Sequence, residues 1–167
     1  MNALDKIRSK ILDMKSLGKI LQKEKMAGKK VVFTNGCFDI LHRGHIEYLA
    51  NSSDLGDLFV IGLNSDSSVR KLKGEYRPAI DEESRSFTLA SFGFVDFVVL
   101  FDEDNPSSLM QVLQPDVWVK GGDYTNIEEL PEYEVFMEIG GEVVVLPFVE
   151  GFSTTDIYNK ILRSAKS

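Results

Sequence analysis

The chain has 167 residues, 43% of them hydrophobic and 27% charged, without an apolar run near the roughly 20 residues of a membrane-spanning helix. Its net charge of −7 argues against a general nucleic-acid binder, which needs a broad basic surface. The single cysteine, Cys37, excludes an internal disulfide and is typical of the reducing cytoplasm. We therefore expect one cytoplasmic protein with no membrane and no nucleic-acid partner.

The N-terminal part is basic, with nine Lys/Arg and three Asp/Glu in residues 1–30, against ten and 23 in the remainder. Apolar residues at helical spacing predict one helix over residues 4–14 and a second from Ser16 to Ala27. We expect residues 1–28 to form a helical extension that packs on a domain of residues 29–167. A polybasic arm that binds a partner is the weaker alternative, because the apolar stripe needs burial.

Short apolar segments typical of strands buried on both faces alternate with helical segments in the rest of the chain. The predicted strands are residues 31–33, 58–63, 97–100, 117–119 and 143–146. The predicted helices are residues 44–55, 65–73, 81–92, 106–113, 128–139 and 154–163. This order predicts an α/β fold, a Rossmann-like doubly wound sheet of about five parallel strands that binds its ligand at the carboxyl ends of the strands.

The loop after the first predicted strand holds both histidines of the chain, His42 and His45. Three residues apart at a helix start, they lie on nearly the same face, and Gly44 leaves room for a ligand. Two imidazoles aimed at a phosphate stabilise the charge that develops during phosphoryl transfer. Two alternatives stay open: a zinc site, for which Cys37 is the only thiol, and a purely structural pair.

Hydroxyl groups precede the last predicted helix, in Ser153, Thr154 and Thr155. Together with free N–H groups at the helix start and the nearby Gly151, they predict a site for the outer phosphates of a nucleoside triphosphate. Taken alone, the same residues indicate only a helix cap.

The loop after the fourth predicted strand contains Lys120, Gly121 and Asp123. A glycine there allows the backbone to approach a nucleotide, and Asp123 is placed to bind a ribose hydroxyl. A simple glycine turn is the alternative. Two lysines, Lys71 and Lys73, follow the second predicted strand. For each of them, a phosphate ligand and a solvated surface charge are the alternatives.

Two motifs carry a resemblance to a known superfamily. Gly36-Cys37-Phe38-Asp39 followed by His42-Arg43-Gly44-His45 resembles the G-x-F-D and H-x-G-H signature of the cytidylyltransferase-like nucleotidyltransferases, and residues 150–155 resemble their E-G-x-S-T-T segment. The resemblance implies catalytic roles for His42, His45 and Lys73. It implies nucleotide binding by Cys37, Phe38, His42, Gly44, His45, Gly121, Asp123, Gly151, Ser153, Thr154 and Thr155. Arg85 resembles an arginine of this superfamily, with a structural ion pair as the alternative.

A narrower resemblance covers residues 29–161, most closely in residues 32–42, 119–124 and 151–155. There the chain is similar to the D-glycero-β-D-manno-heptose-1-phosphate adenylyltransferases, which often form the second domain of a bifunctional heptose kinase. The sequence has no room for a kinase domain, so we expect a stand-alone transferase. The resemblance implies transfer of AMP from ATP to the sugar 1-phosphate, giving ADP-heptose for lipopolysaccharide cores.

The same resemblance implies Mg²⁺ bound through the ATP phosphates, no protein metal site and a homodimer. It also implies that Asp39, Lys73 and Lys120 bind the sugar phosphate. The apolar run over residues 87–95 is either core or dimer seam. The glycerol-phosphate cytidylyltransferases place an arginine shortly before E-G-x-S-T-T, where this chain has Pro147-Phe148-Val149.

Two further functions stay open. One is a related transferase with another acceptor or nucleotide, such as glycerol 3-phosphate with CTP or flavin mononucleotide with ATP. The other is a catalytically silent nucleotide-binding subunit. The intact His42, His45 and residues 153–155 argue against the silent subunit, which has no need of them.

Overall fold

Five parallel strands form one sheet in the computed structural model, which describes residues 1–122, 126–147 and 149–164. The strands are β1 (Val31–Gly36), β2 (Leu58–Asn64), β3 (Phe97–Phe101), β4 (Val117–Gly121) and β5 (Glu142–Leu146), in the order β3-β2-β1-β4-β5. The helices of the described residues are α1 (Ala3–Arg8), α2 (Met14–Met26), α3 (Arg43–Ser53), α4 (Asp66–Lys73), α5 (Glu82–Ser91), α6 (Ser107–Leu113), α7 (Pro131–Ile139) and α8 (Thr154–Ser164). The predicted Rossmann-like α/β fold is confirmed.

Hydrophobic clusters cover both faces of the sheet, which explains why its strands are continuous apolar runs. On one face, Leu17 of α2, Leu109 of α6 and Phe136 of α7 pack on Phe33 and Trp118. On the other face, the cluster includes residues of α3 and α5 together with the alternate strand residues. Every residue of β2 is buried. The sheet is therefore doubly wound.

The N-terminal helices differ from the prediction in their bounds. Helix α1 ends at Arg8, and Ile11 forms a parallel bridge with Val98 at the edge of the sheet instead of continuing the helix to residue 14. Helix α2 begins at Met14 rather than Ser16, because the side chain of Asp13 accepts a hydrogen bond from the Ser16 N–H at 2.9 Å. The predicted single helix over residues 4–14 is wrong.

A second correction concerns the predicted helix over residues 128–139. The structure has a 3₁₀ turn, Ile127–Glu129, followed by α7, which begins at Pro131. Proline has no N–H to continue a helix but fits its first turn, so Pro131 starts a helix instead of lying within one.

The chain order of the strands places a crevice between β1 and β4. Strand β1 is followed by elements that lead to β2 and β3 on one side, whereas β4 leads to β5 on the other. The two neighbours are in register, with Thr34 opposite Val119. The connections that follow β1 and β4 therefore leave in opposite directions. This is the topological switch point, where open α/β sheets bind ligands. Among the described residues no helix has the length and apolar character needed to cross a bilayer.

Candidate active site

A cavity of about 1010 Å³ opens at this switch point. It is lined by every predicted site residue that the structure describes: Cys37, Phe38, Asp39, His42, Gly44, His45, Lys73, Lys120, Gly121, Gly151, Ser153, Thr154 and Thr155. Asp123 lies outside the described residues. Four separate segments of the chain thus bring these side chains together in one cavity. The roles assigned to the side chains stay predictions.

The two histidines form a stacked pair at the start of α3. His42 caps the helix, because its Nδ1 accepts a hydrogen bond from the His45 N–H at 3.4 Å. The ring centroids of His42 and His45 are 3.8 Å apart. Phe38 contacts His45 with its ring edge and Phe152 stacks near His42, at centroid distances of 5.7 and 6.0 Å. Aromatic rings thus fix the orientation of both imidazoles.

Burial keeps this pair uncharged. It lowers the pKa of His45 to about 4, with a smaller contribution from the neighbouring His42, whose own pKa burial also lowers. Because Nδ1 of His42 accepts a hydrogen bond, that hydrogen-bond network places its proton on Nε2. The buried Nδ1 of His45 has no hydrogen-bond partner among the described residues. An unpartnered buried nitrogen at a cavity wall is a costly feature that a ligand atom would satisfy.

Glycines make the close packing of the site possible. A Cβ on Gly44 would lie 3.0 Å from Cβ of Phe152 and 3.2 Å from Nδ1 of His42. A Cβ on Gly36 would lie 3.0 Å from the ring of Phe38, which itself adopts a left-handed backbone with φ of 42°. The glycines of the G-x-F-D and H-x-G-H motifs therefore leave space for neighbouring aromatic side chains that a Cβ would crowd.

Asp39 joins the first loop to two distant parts of the chain. Its Oδ1 accepts hydrogen bonds from the N–H groups of Ala79 and Ile80, at 2.9 and 3.1 Å. Its Oδ2 accepts from Arg77 at 3.2 Å and from the Tyr158 hydroxyl at 2.6 Å. These donors lower the pKa of Asp39 despite the opposing effect of its burial. Both carboxylate oxygens are thus engaged within the protein, and substrate binding by Asp39 stays a prediction.

The two predicted lysines of the cavity, Lys73 and Lys120, differ in their burial. Lys73 is exposed at the end of α4 and lines the cavity, whereas Lys71 does not. Lys120 is nearly buried, and its Nζ lies 3.2 Å from Glu132 Oε1 and 5.0 Å from the centre of the Trp118 ring. Sequence reasoning did not single out Glu132, because nothing in its helical pattern marks a residue that pairs with a lysine twelve positions earlier.

Arg85 lies behind the site rather than in it. Its side chain is fully buried and donates to the carbonyl oxygens of Cys37, Asn64 and Ile80 and to Asp66 Oδ1, at 2.6 to 2.9 Å. Arg85 does not line the cavity. The geometry favours a structural ion pair over a phosphate ligand, because Arg85 holds three loops of the site together.

The surroundings of Cys37 disfavour a zinc site. Its Sγ lies 4.0 Å from Asn64 Oδ1, and burial raises the pKa of the thiol, which keeps it protonated at neutral pH. In the part of the chain that the structure describes, no three His, Cys, Asp or Glu residues are grouped so as to hold a metal ion.

The cytidylyltransferase-like family matches residues 33–160, which include β2 to β5 and most of β1 and α8. The chain belongs to this family. The motif-based resemblance is thereby confirmed, and the cavity of this cytidylyltransferase-like domain contains both motifs on which the resemblance rested.

Curated relatives of this cytidylyltransferase-like chain are longer proteins. The bifunctional protein HldE of Geobacter metallireducens is 52% identical over 156 residues, which are 93% of this chain and 32% of that protein. The bifunctional protein HldE of Helicobacter acinonychis is 46% identical over 161 residues, 96% of this chain and 33% of that protein. The chain thus spans about a third of the length of these relatives.

Solved structures agree with the fold. A lipopolysaccharide core biosynthesis protein from Thermoplasma volcanium is 31% identical, with a TM-score of 0.59, and the match covers 73% of this chain and 98% of that one. A pantoate-beta-alanine ligase from Francisella tularensis matches with a TM-score of 0.61 over 94% of this chain and 79% of its own, at 14% identity. The second likeness shows the fold alone.

Proposed function

We propose that this chain transfers AMP from ATP to D-glycero-β-D-manno-heptose 1-phosphate, giving ADP-heptose and pyrophosphate for lipopolysaccharide core biosynthesis. The observation that carries the chemistry is the stacked His42–His45 pair, which shares one cavity with residues 151–155 at the start of α8. The observations that favour the acceptor are the identity of about 50% to bifunctional HldE proteins and the likeness to a lipopolysaccharide core biosynthesis protein.

The reaction needs alignment and charge stabilisation more than a protein nucleophile. An oxygen of the sugar phosphate, already ionised, attacks the α-phosphorus in line, and the bond from that phosphorus to the β-phosphate oxygen breaks as pyrophosphate leaves. The Nε2–H of His42 and a ring N–H of His45 donate hydrogen bonds to the charge that grows on the α-phosphoryl oxygens. Their fixed stacking means that little reorganisation is required during the transfer.

The start of α8 is suited to the outer phosphates. Ser153 Oγ accepts a hydrogen bond from the Asp156 N–H at 3.4 Å and so caps the helix. Thr154 and Thr155, the first two residues of α8, line the cavity, where an anion benefits from the helix dipole. Lys73, at the end of α4, adds a positive charge for phosphate, and Lys120 adds one for the sugar phosphate.

Mg²⁺ enters the proposal through the nucleotide. Of the two buried carboxylates that line the cavity, Asp39 has both oxygens engaged by protein donors and Glu132 pairs with Lys120. A hard, oxygen-loving cation that keeps several waters would therefore be held by triphosphate oxygens, whose charge it neutralises. We include Mg²⁺ in the proposal on that basis.

Pyrophosphate release distinguishes the candidate functions. The protein is mixed with ATP or CTP, with Mg²⁺, and with heptose 1-phosphate, glycerol 3-phosphate or flavin mononucleotide. We expect release with ATP and heptose 1-phosphate at a rate far above every other pair. Release with CTP and glycerol 3-phosphate instead would replace the proposal by a cytidylyltransferase, and no release with any pair would favour a silent subunit.

Compartment and assembly form part of the proposal. ATP and the free thiol of Cys37 are compatible with the cytoplasm. A homodimer follows from the family resemblance, but Leu89 and Val95 of the suggested seam are fully buried within the chain. Sedimentation equilibrium measures the association directly, and a monomer at micromolar concentration would remove the dimer from the proposal.

A further inference from the structure

Arg77 is a cation of the cavity that lies outside both the H-x-G-H and the E-G-x-S-T-T motifs. Its guanidinium lies over the ring of Tyr158, 3.5 Å from the ring centre, and its Nη1 donates to Asp39 Oδ2 at 3.2 Å. The side chain is 19% exposed and lines the cavity. Stacking on a ring and pairing with a carboxylate hold the planar group in one orientation.

Most of the hydrogen-bonding capacity of this guanidinium is unused. An arginine carries five N–H groups, and the Arg77 side chain donates one of them to Asp39. Within residues 1–122, 126–147 and 149–164, the others have no acceptor. The negative charge of Asp39 is shared with donors from Ala79, Ile80 and Tyr158. An oriented guanidinium with free N–H groups at a cavity wall matches the geometry of a phosphate.

The position of Arg77 indicates which phosphate it meets. Tyr158, its stacking partner, follows Thr154 by one helical turn of α8. Thr154 itself donates from Oγ1 to the carbonyl of Ile40 at 3.4 Å, next to Asp39. Arg77 therefore lies beside the first two turns of α8, on the side where residues 153–155 line the cavity. This is the part of the cavity to which the proposed function assigns the outer phosphates.

We infer that Arg77 binds the β- and γ-phosphates of the nucleoside triphosphate and the pyrophosphate that leaves, with Tyr158 and Asp39 as the residues that position it. The inference rests on the proposed function in that it assigns a ligand within the same site. It does not depend on the identity of the acceptor. Arg77 would thus add an oriented, planar cation to the exposed charge of Lys73.

Binding of three probes to Arg77→Gln tests the inference: ATP with Mg²⁺, inorganic pyrophosphate with Mg²⁺, and AMP. We expect the Kd for ATP and for pyrophosphate to rise by about tenfold or more, as for the loss of hydrogen bonds to a charged group, and the Kd for AMP to change by less than about twofold. Arg77→Lys keeps the charge but removes the planar guanidinium and its stacking on Tyr158. The Kd for ATP and for pyrophosphate should therefore rise by a smaller factor than in Arg77→Gln. Arg70→Gln removes the same charge from the exposed face of α4, outside the cavity, and should bind all three probes like the wild type.

The outcomes separate the alternatives. An equal rise in the Kd for ATP and for AMP would mean that Arg77 only supports the structure of the site. An unchanged Kd for ATP and for pyrophosphate would mean that Arg77 has no part in phosphate binding. Either result overturns the inference. If Arg77→Gln does not fold, Arg77→Lys decides, because normal pyrophosphate binding by that variant would overturn it as well. A wild-type protein that binds ATP but does not use heptose 1-phosphate would overturn the proposed acceptor alone, and the binding data would still decide the role of Arg77.

Discussion

The surroundings of His45 constrain the chemistry of its side chain. Burial, the stacked His42 ring and the Phe38 edge hold its imidazole neutral and fixed. We predict that His45→Gln lowers kcat by about 10²-fold or more, because losing one preorganised donor to transition-state charge costs roughly 3–4 kcal/mol. Steady-state kinetics on a variant with wild-type circular dichroism checks this, and near-normal turnover would remove His45 from the mechanism.

The lowered pKa of His45 also predicts a pH dependence of stability. Its pKa is about 4 in the folded protein against an ordinary 6.5, so the unfolded chain binds the proton more tightly. Above pH 6.5 this group contributes no pH dependence, and the free energy of unfolding should fall as the pH drops from about 6.5 towards 4. Urea titrations at several pH values should show a shallower fall for His45→Gln. Parallel curves for both proteins over this range would contradict the low pKa.

Gly44 allows a prediction that separates activity from stability. Alanine is favoured over glycine in a helix by about 1 kcal/mol, but its Cβ would press on Phe152 and His42. We expect Gly44→Ala to change the free energy of unfolding by less than about 1 kcal/mol, since the gain and the crowding oppose each other, while kcat/KM falls at least about tenfold. Ala50→Gly, in the same helix but outside the cavity, is the comparison: it should lose about 1 kcal/mol of stability and keep its kcat/KM. Unchanged kcat/KM in Gly44→Ala would show that the site tolerates the added methyl group.

Among the helices and strands, the site lies on loops and on the helix ends beside them, and Arg85 ties three of these segments together. Removing one partner from a buried ion pair strands the other, which costs about 3–5 kcal/mol. Arg85→Met should therefore lose about that much in chemical denaturation, because Asp66 and three carbonyl groups lose their donor. Arg43→Met breaks the exposed pair with Glu47 and should cost less than about 1 kcal/mol. Equal losses in the two variants would contradict the structural role of Arg85.

The elements also show where sequence reasoning reaches its limit. Strands and helices follow from local periodicity, and the H-x-G-H and S-T-T residues follow from short motifs with a known chemistry. The contact between Asp39 and Tyr158 joins residues 119 positions apart, and no local pattern marks either of them as its partner. The spacing of Ile11 predicts a helix, whereas its bridge to Val98 at the sheet edge decides its conformation. Tertiary contacts of this kind override local preference.

In the molecule as a whole, the basic helix α2 packs into the core, whereas α1 has no buried residue. Leu17 and Leu21 of α2 are fully buried against the sheet residues Val31 and Phe33 and against α6. The ion pair between Lys25 and Asp116, at 3.0 Å, is partly exposed and contributes little. Burial of apolar side chains thus holds α2 in place, and the division into residues 1–28 and 29–167 stays a prediction.

This packing predicts the effect of mutating and of removing the segment. Leu17→Ala leaves a cavity in a closed cluster and should lower the free energy of unfolding by about 2–5 kcal/mol. Leu4→Ala, at a site 45% exposed, should cost less than about 0.5 kcal/mol. Removal of residues 1–28 exposes the apolar sheet face under α2 and should yield a protein that aggregates or melts far below the intact chain, as scanning calorimetry would measure. A truncated protein that melts cooperatively near the wild-type temperature would instead establish residues 29–167 as an independent domain.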